Sequence, residues 1–128
     1  MEIASERMQA AGQTNVSFVN EDIFTVAFDD DFDAVVGCYV LVHNQDKARL
    51  LRRVSQHVYL GGLVVFQEPD YSMSVATLPR AQFFEQVCHW RVEALRRAGL
   101  EGQTGLKMFG LFLEAGLPVP EVRFPSLE

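Results

Sequence analysis

The chain has 128 residues, of which 48% are hydrophobic and ten are phenylalanine. This length suits one compact domain, and the apolar content is enough to form a core, so a largely disordered chain is excluded. Seventeen acidic against eleven basic residues give a net charge of -6. That balance argues against nucleic acid or an anionic membrane surface as a partner, because both bind a concentrated basic face.

The sequence also lacks the marks of a membrane or secreted protein. No apolar run approaches the eighteen residues of a membrane span, and the first residues lack the basic start and apolar stretch of a signal peptide. Cys38 and Cys88 fit neither a disulfide framework nor a zinc site. We therefore expect a cytoplasmic protein with one domain over residues 1–126, and we set residues 127–128 aside as a candidate expression-vector remnant.

The first half of the chain predicts a helix, two strands and a second helix. Alanines and a methionine at helical spacing favour a short helix over about residues 2–11. Residues 16–19 predict a strand, and after an acidic loop residues 33–37 form an apolar run typical of a strand buried on both faces. Leucines and valines then predict a helix over about 45–59. Its arginines are predicted to face solvent: Arg49, Arg52 and Arg53.

The second half of the chain continues this alternation of predicted helices and strands. Gly61 and Gly62 are predicted to end the second helix, and residues 63–67 form the third buried strand. Two further apolar patterns predict helices over about 79–98 and 105–115, and residues 121–124 are a candidate fourth strand. Apolar strands that alternate with helices indicate an α/β fold with a mostly parallel sheet of about four strands and helices on both faces.

Three segments carry a resemblance to a known family. Residues 20–23 (NEDI), 32–37 (FDAVVG) and 61–66 (GGLVVF) occur in the order, and at similar intervals, found in class I S-adenosylmethionine-dependent methyltransferases. The family's helix-ending basic-Pro-Gly-Gly turn appears here as YLGG, so only the glycines match. The resemblance covers nearly the whole chain. It implies a partial doubly wound, Rossmann-like sheet and transfer of a methyl group from S-adenosylmethionine to a small molecule.

The resemblance also implies which residues bind the cofactor. Asp22 stands where the family places a carboxylate that accepts a hydrogen bond from the adenine amine, and Ile23 would lie against the adenine face. Gly37 and Cys38 end the next strand, where the family's backbone passes the methionine part of the cofactor. Ligands of such sheets bind at the carboxyl ends of the strands.

Two features of the family have no counterpart in this sequence. These are the glycine-rich turn after the first strand and the ribose-binding acidic residue after the second. The sequence therefore resembles a methyltransferase whose first two strands are absent. Two hypotheses stay open: an enzyme, or a non-catalytic remnant that acts as a self-associating or partner-binding module.

The absent strands lead to a prediction about assembly. In the family they separate the third strand from the fourth, so here residues 33–37 would present an open apolar edge. Either the two flanking strands close up directly, or a partner fills the gap, because such an edge favours pairing with another chain. We expect a homodimer, by exchanged elements or by edge-to-edge sheet pairing, with the apolar helix over 105–115 as a second contact surface.

Four polar or aromatic side chains near strand ends are candidates for the acceptor site. His43 is a candidate proton acceptor, and the alternative is a loop histidine that caps the following helix. Glu68 is a candidate catalytic residue, and Asp70 is a candidate substrate ligand; the alternative for both is a role in helix capping and turns. Tyr71 could stack on a substrate or simply pack against its neighbours.

The remaining reactive side chains favour structural roles. The aspartates of the acidic loop, Asp29 to Asp31 with Asp33, precede a strand and so lie at the edge opposite the expected cleft. We therefore predict a solvated loop there and no metal site. Cys38 has no neighbouring base that would activate it as a nucleophile.

Overall fold

The structure, a computed structural model, describes residues 2–72 and 76–123. It has a mixed α/β architecture in which helices alternate with two strands. In chain order the elements are helix α1 (Glu2–Ala10), strand β1 (Phe32–Cys38), a 3₁₀ turn (Leu41–His43), helix α2 (Lys47–Ser55), strand β2 (Val58–Gln67), helix α3 (Gln82–Arg97) and helix α4 (Thr104–Glu114).

The two strands pair in parallel, with α2 as the crossover between them. The register is regular from Ala34 opposite Leu63 to Cys38 opposite Gln67, and it shifts nearer the start of the strands. Because both strands run the same way, their carboxyl ends share one edge of the sheet. The parallel α/β arrangement predicted from sequence is confirmed at this level.

The sheet is smaller than predicted. Within the ranges that the structure describes it has two strands, not four. Residues 16–19 are exposed and form no strand, and residues 121–123 are irregular. An apolar run becomes a strand only where a neighbour completes its ladder of hydrogen bonds, and neither segment lies beside one. Phe124 and the candidate vector remnant lie outside the described residues.

The glycine pair does not separate α2 from the strand. Helix α2 ends at Ser55, and β2 begins at Val58, so Gly61 and Gly62 lie within β2 at the shift in register. Gly61 has a φ of +88°, and a side chain on Gly62 would overlap the carbonyl of Asp33. The prediction that these glycines end a helix was wrong, because they serve an irregularity in the strand instead.

The core lies between one face of the sheet and the helices α2 and α4. Leu50, Leu51 and Val54 of α2 are buried with Phe112 of α4 and with Leu41. Partly buried side chains of the sheet pack against them: Val35, Val64 and Phe66. Burying each of the large apolar side chains contributes about 1.5–3 kcal/mol, so this cluster holds the helices on the sheet.

Two arginines of α2 join the core helices to their surroundings. Arg52 donates to the carbonyl oxygens of Glu114 and Ala115, at 2.9 and 3.4 Å, at the end of α4. Arg53 is half-buried and donates to the carbonyl of Val26 at 2.5 Å. Arg49 and Arg52 are exposed, as predicted, although Arg52 also binds backbone carbonyls. The prediction of a solvated residue was wrong for Arg53, which is half-buried against the segment of Val26.

The opposite face of the sheet is uncovered in the described part of the chain. Alternation along the strands places Ala34, Val36, Leu63 and Val65 on the side away from the core. Val36 is 74% exposed and Leu63 is 63% exposed. The predicted helices on both faces are therefore not observed, and α3 has no buried residue. None of the helices within residues 2–72 and 76–123 is long and apolar enough to cross a bilayer.

Candidate functional site

The candidate site lies at the shared carboxyl edge of β1 and β2. Tyr39, directly after β1, has a φ of 57°, which turns the chain out of the sheet. Its amide donates to the carbonyl of Gln67 at 3.0 Å, so the two strand ends stay together through this turn. The segments that follow the strands, residues 39–46 and 68–72, therefore face each other at one edge.

The carboxylate of Glu68 links these two segments. Its Oε1 accepts from the amides of Val40 and Leu41, both at 2.8 Å, and its Oε2 accepts from the amide of Val42 at 3.0 Å. Three donors of one turn thus converge on one carboxylate, which satisfies amides that open the 3₁₀ turn. This arrangement makes Glu68 a support for the turn, and its candidate role as a proton acceptor stays a prediction.

His43 ends that 3₁₀ turn and is exposed. Its amide donates to the carbonyl of Val40 at 3.2 Å, whereas its imidazole has no hydrogen bond to the described residues. The alternative that His43 caps α2 was wrong: Asp46 is the cap, and its side chain accepts from the amide of Arg49 at 2.9 Å. The imidazole is therefore accessible at the strand edge on a turn that Glu68 holds.

Asp70 and Tyr71 connect the end of β2 to the last two helices. Asp70 accepts from the amide and hydroxyl of Ser72, at 3.0 and 2.5 Å, and from the amide of Leu106 in the first turn of α4 at 3.2 Å. The guanidinium of Arg91 in α3 lies 4.0 Å from the centre of the Tyr71 ring. These contacts agree with the capping and packing alternatives, and substrate binding by either residue stays a prediction.

Asp22 lies in a tight turn whose chain continues along α2. Its Oδ1 accepts from the amide of Phe24 at 2.8 Å, and its carbonyl accepts from the amide of Val26 at 2.8 Å. The guanidinium of Arg49, early in α2, lies 4.7 Å from the centre of the Phe24 ring. Arg53, a turn later, reaches Val26. The segment thus runs in the same direction as α2, and Asp22 lies towards the start of that helix, on the side of the sheet's carboxyl edge.

Gly37 and Cys38 lie at the end of β1, but they differ in surroundings. Gly37 is buried, and a Cβ there would overlap the ring of Phe66 on β2. The neighbouring strand is therefore a sufficient reason for glycine at this position. Cys38 is exposed and is a free thiol.

The donor set of this edge matches part of what a nucleoside ligand needs. Asp22 is exposed and holds its turn through Oδ1, which leaves Oδ2 directed to no described partner. Ile23, next to it, is half-buried against the core cluster and offers a fixed apolar surface. A carboxylate oxygen beside an apolar side chain suits an amino-substituted aromatic base.

One charged residue near the edge was missed by the sequence analysis. Lys47 opens α2 and is only 5% exposed, and its ammonium donates to the carbonyl of Asn44 at 2.7 Å. It therefore fastens the loop between the 3₁₀ turn and α2. No sequence pattern indicated this, because lysine at a helix start is ordinarily solvated.

Comparison with known proteins identifies the family to which the chain belongs. No curated protein matches the chain. A family model described as a methyltransferase domain matches residues 1–66, just over half of the sequence. The matched part contains the Asp22 turn, β1, the 3₁₀ turn with His43, α2 and nearly all of β2. The chain therefore belongs to the methyltransferase domain family, within the class I S-adenosylmethionine-dependent methyltransferases that its three sequence segments resemble.

Proposed function

We propose that this domain binds S-adenosylmethionine and transfers its methyl group to a small molecule. The observation that carries the proposal is the family match over residues 1–66, because the matched segment includes all the candidate cofactor residues. When bound, the cofactor supplies a methyl group on a positively charged sulfur. The contribution of the protein is then mainly to align donor and acceptor, since methyl transfer is an in-line displacement.

In this proposal Asp22 and Ile23 hold the adenine. The support is the Asp22 turn, which fixes the carboxylate through Oδ1 while Oδ2 stays available, and the half-buried Ile23 beside it. Gly37 and Cys38 border the methionine part at the end of β1. Gly37 is retained for its packing against Phe66 as well, so its role in binding is separable from its role in the sheet.

His43 is proposed to take the proton from the small molecule that receives the methyl group. Its imidazole is exposed at the strand edge, which supports access by a solute. We assign Glu68 a positioning role, because both of its oxygens already accept from the turn that carries His43. Asp70 and Tyr71 would line the acceptor side, next to the start of α4.

The free thiols support a cytoplasmic location for the protein, because Cys38 and Cys88 are both unpaired.

The second candidate function is a non-catalytic module derived from this family. It is favoured by the two-stranded sheet and its uncovered apolar face, which suit association better than enclosure of a reaction.

Calorimetric titration with S-adenosylmethionine and its demethylated product tests cofactor binding. We expect one site per chain and a dissociation constant that rises about ten- to a hundredfold in Asp22→Asn, which keeps the turn acceptor but loses the charge. Glu21→Gln, at the neighbouring exposed position, is the control and should bind like the parent. If no heat of binding were measured at millimolar cofactor, the result would contradict the enzyme hypothesis and favour the non-catalytic module.

A second experiment tests His43. Formation of the demethylated cofactor is followed while pools of small phenols, amines and thiols are supplied as acceptors. We expect turnover with one pool in the parent protein, loss of that turnover in His43→Ala, and unchanged cofactor affinity. His89→Ala replaces another exposed histidine, on α3, and should keep the activity.

A further inference from the structure

The uncovered face of the sheet carries no charged side chain and is apolar except for Gln67 at its carboxyl end. Its side chains are Ala34, Val36 and Cys38 on β1, with Leu63, Val65 and Gln67 on β2. The exposed fractions of Val36, Leu63 and Val65 are 74%, 63% and 48%. Parallel sheets occur almost only with both faces covered, so this face needs a layer that the described part of one chain does not provide.

Helix α3 carries a matching apolar stripe that the described residues also leave uncovered. Phe83, Val87, Trp90 and Ala94 follow one another at intervals of four, three and four residues, so they lie along one side of the helix. Phe83 is 91% exposed, Val87 55% and Trp90 61%. The half-buried residues Cys88 and Leu95 lie on a different side of the helix, which leaves the stripe facing solvent.

The accessible surface of the chain is far larger than a stable monomer of this mass has. The structure exposes 10052 Å², whereas a folded monomer of 14.4 kDa exposes roughly 6,800 Å². The difference is roughly 3,200 Å². A standard protein interface buries about 800 Å² on each partner, and obligate dimers bury more. Part of this excess lies outside the two surfaces, since residues 11–22 are exposed throughout, but the total is about four times the area that a standard interface takes from each chain.

We propose that two copies of this chain form a two-fold dimer in which α3 of each copy packs its stripe across the open sheet face of the other. A second copy is the occupant because one chain carries both complementary surfaces. These are a sheet face without a charged side chain and a helix stripe that is apolar from Phe83 to Ala94, before Arg97 at the end of α3. Reciprocal exchange buries both surfaces twice and closes the assembly. This proposal does not depend on methyl transfer.

The exchanged dimer differs from other dimer geometries in the pairs of residues that it brings into contact. A face-to-face dimer would pack Val36 on its own counterpart, and a helix-to-helix dimer would pack Trp90 on its own counterpart. In the exchanged dimer Trp90 of one copy meets the sheet face with Val36 of the other. Two single variants therefore damage different halves of the same contact.

Light scattering after size exclusion tests this directly on the full chain. We expect a mass twice the 14.4 kDa of one chain for the parent. Val36→Glu and Trp90→Glu should each weaken association more than a hundredfold and give monomers, with helix content checked by circular dichroism. Leu78→Glu is the control: Leu78 is fully exposed, outside both surfaces, and its variant should stay dimeric.

Mixing the two variants decides between exchange and the other geometries. In an exchanged dimer of Val36→Glu with Trp90→Glu, the intact α3 of the first chain meets the intact sheet face of the second. One of the two contacts is then undamaged, so the mixture should recover a dimer that contains both chains. A monomeric parent, dissociation by Leu78→Glu, or a mixture that stays monomeric would each overturn the proposal.

Discussion

The carboxylate of Glu68 accepts a hydrogen bond from the amide of Leu41 at 2.8 Å, across 27 positions of sequence. Glu68 follows β2, and Leu41 opens the turn that follows β1, so this bond ties the two strand ends at the candidate site. Leu41 is also fully buried in the core. The position of His43 thus depends on both the core and the Glu68 carboxylate.

Replacement of Glu68 by alanine is expected to destabilise the protein by about 3 kcal/mol, because three amides of one turn lose a charged acceptor. Urea unfolding measures this. Glu121→Ala removes an exposed glutamate whose ion pair within the described residues is with Arg123, and it should unfold like the parent. Equal stability of the two variants would contradict the supporting role of Glu68.

Arg52→Ala is expected to lower the free energy of unfolding by about 1–2 kcal/mol, since α4 loses the donor to its last carbonyls. Arg49→Ala is the matched control on the same helix. Arg49 is exposed and stacks on Phe24 without a hydrogen bond to α4, so its loss should cost less. If Arg49→Ala lowered the free energy of unfolding more than Arg52→Ala does, the hydrogen bonds from Arg52 to α4 would not be important for stability.

The parts of the fold that sequence predicted are those that local pattern decides. The run from Asp33 to Gly37 predicted a strand, and β1 spans Phe32–Cys38. The apolar pattern over residues 105–115 predicted a helix, and α4 spans Thr104–Glu114. In each case the spacing of apolar residues along a few turns or one strand carries the information.

The parts that sequence did not predict depend on distant partners. The run over residues 16–19 has strand character, but nothing local shows that it has no neighbour to pair with. The glycines at 61 and 62 match a helix end equally well as an irregular strand. Glu68 was identified, yet its partners are 26–28 residues away, so a supporting carboxylate and a catalytic one are indistinguishable in sequence.

Leu51→Ala is expected to destabilise the protein by about 2–5 kcal/mol, because Leu51 is fully buried between the sheet and α4 and its removal leaves a cavity. Leu60→Ala makes the same chemical change at a fully exposed position of β2. Its free energy of unfolding should stay within a few tenths of a kcal/mol of the parent value. Chemical denaturation of both variants gives the comparison.

The pH dependence of α3 should follow Glu93. Hydrogen bonds from Arg96, and then from Arg97, lower the pKa of Glu93 to about 2 from an ordinary value of 4.5. A lowered pKa means that the contribution to stability is complete above about pH 4.5 and is lost as the pH falls towards 2. Glu93 is exposed, so we expect a small effect.

Glu93→Gln measures that effect. Between pH 4.5 and 2 the parent should lose more helical signal on heating than the variant does, because the variant lacks the titrating group. Glu6→Gln, on the exposed surface of α1, is the control, and its loss of helical signal on heating should match that of the parent at each pH. Parallel curves for the parent and Glu93→Gln would show that these ion pairs do not stabilise α3.

Gly37 offers a test that separates packing from cofactor binding. A Cβ at this position would overlap the ring of Phe66, so Gly37→Ala is expected to destabilise the protein by about 1–3 kcal/mol. Phe66→Ala removes the ring and is itself destabilising, but Gly37→Ala added to it should cost little further stability. Urea unfolding of the four proteins forms a double-mutant cycle, and additive losses would exclude the Phe66 ring as the reason for glycine. Calorimetry on the double variant then asks the separate question: if cofactor affinity also falls when alanine is added in the Phe66→Ala background, the glycine is needed by the ligand as well as by the sheet.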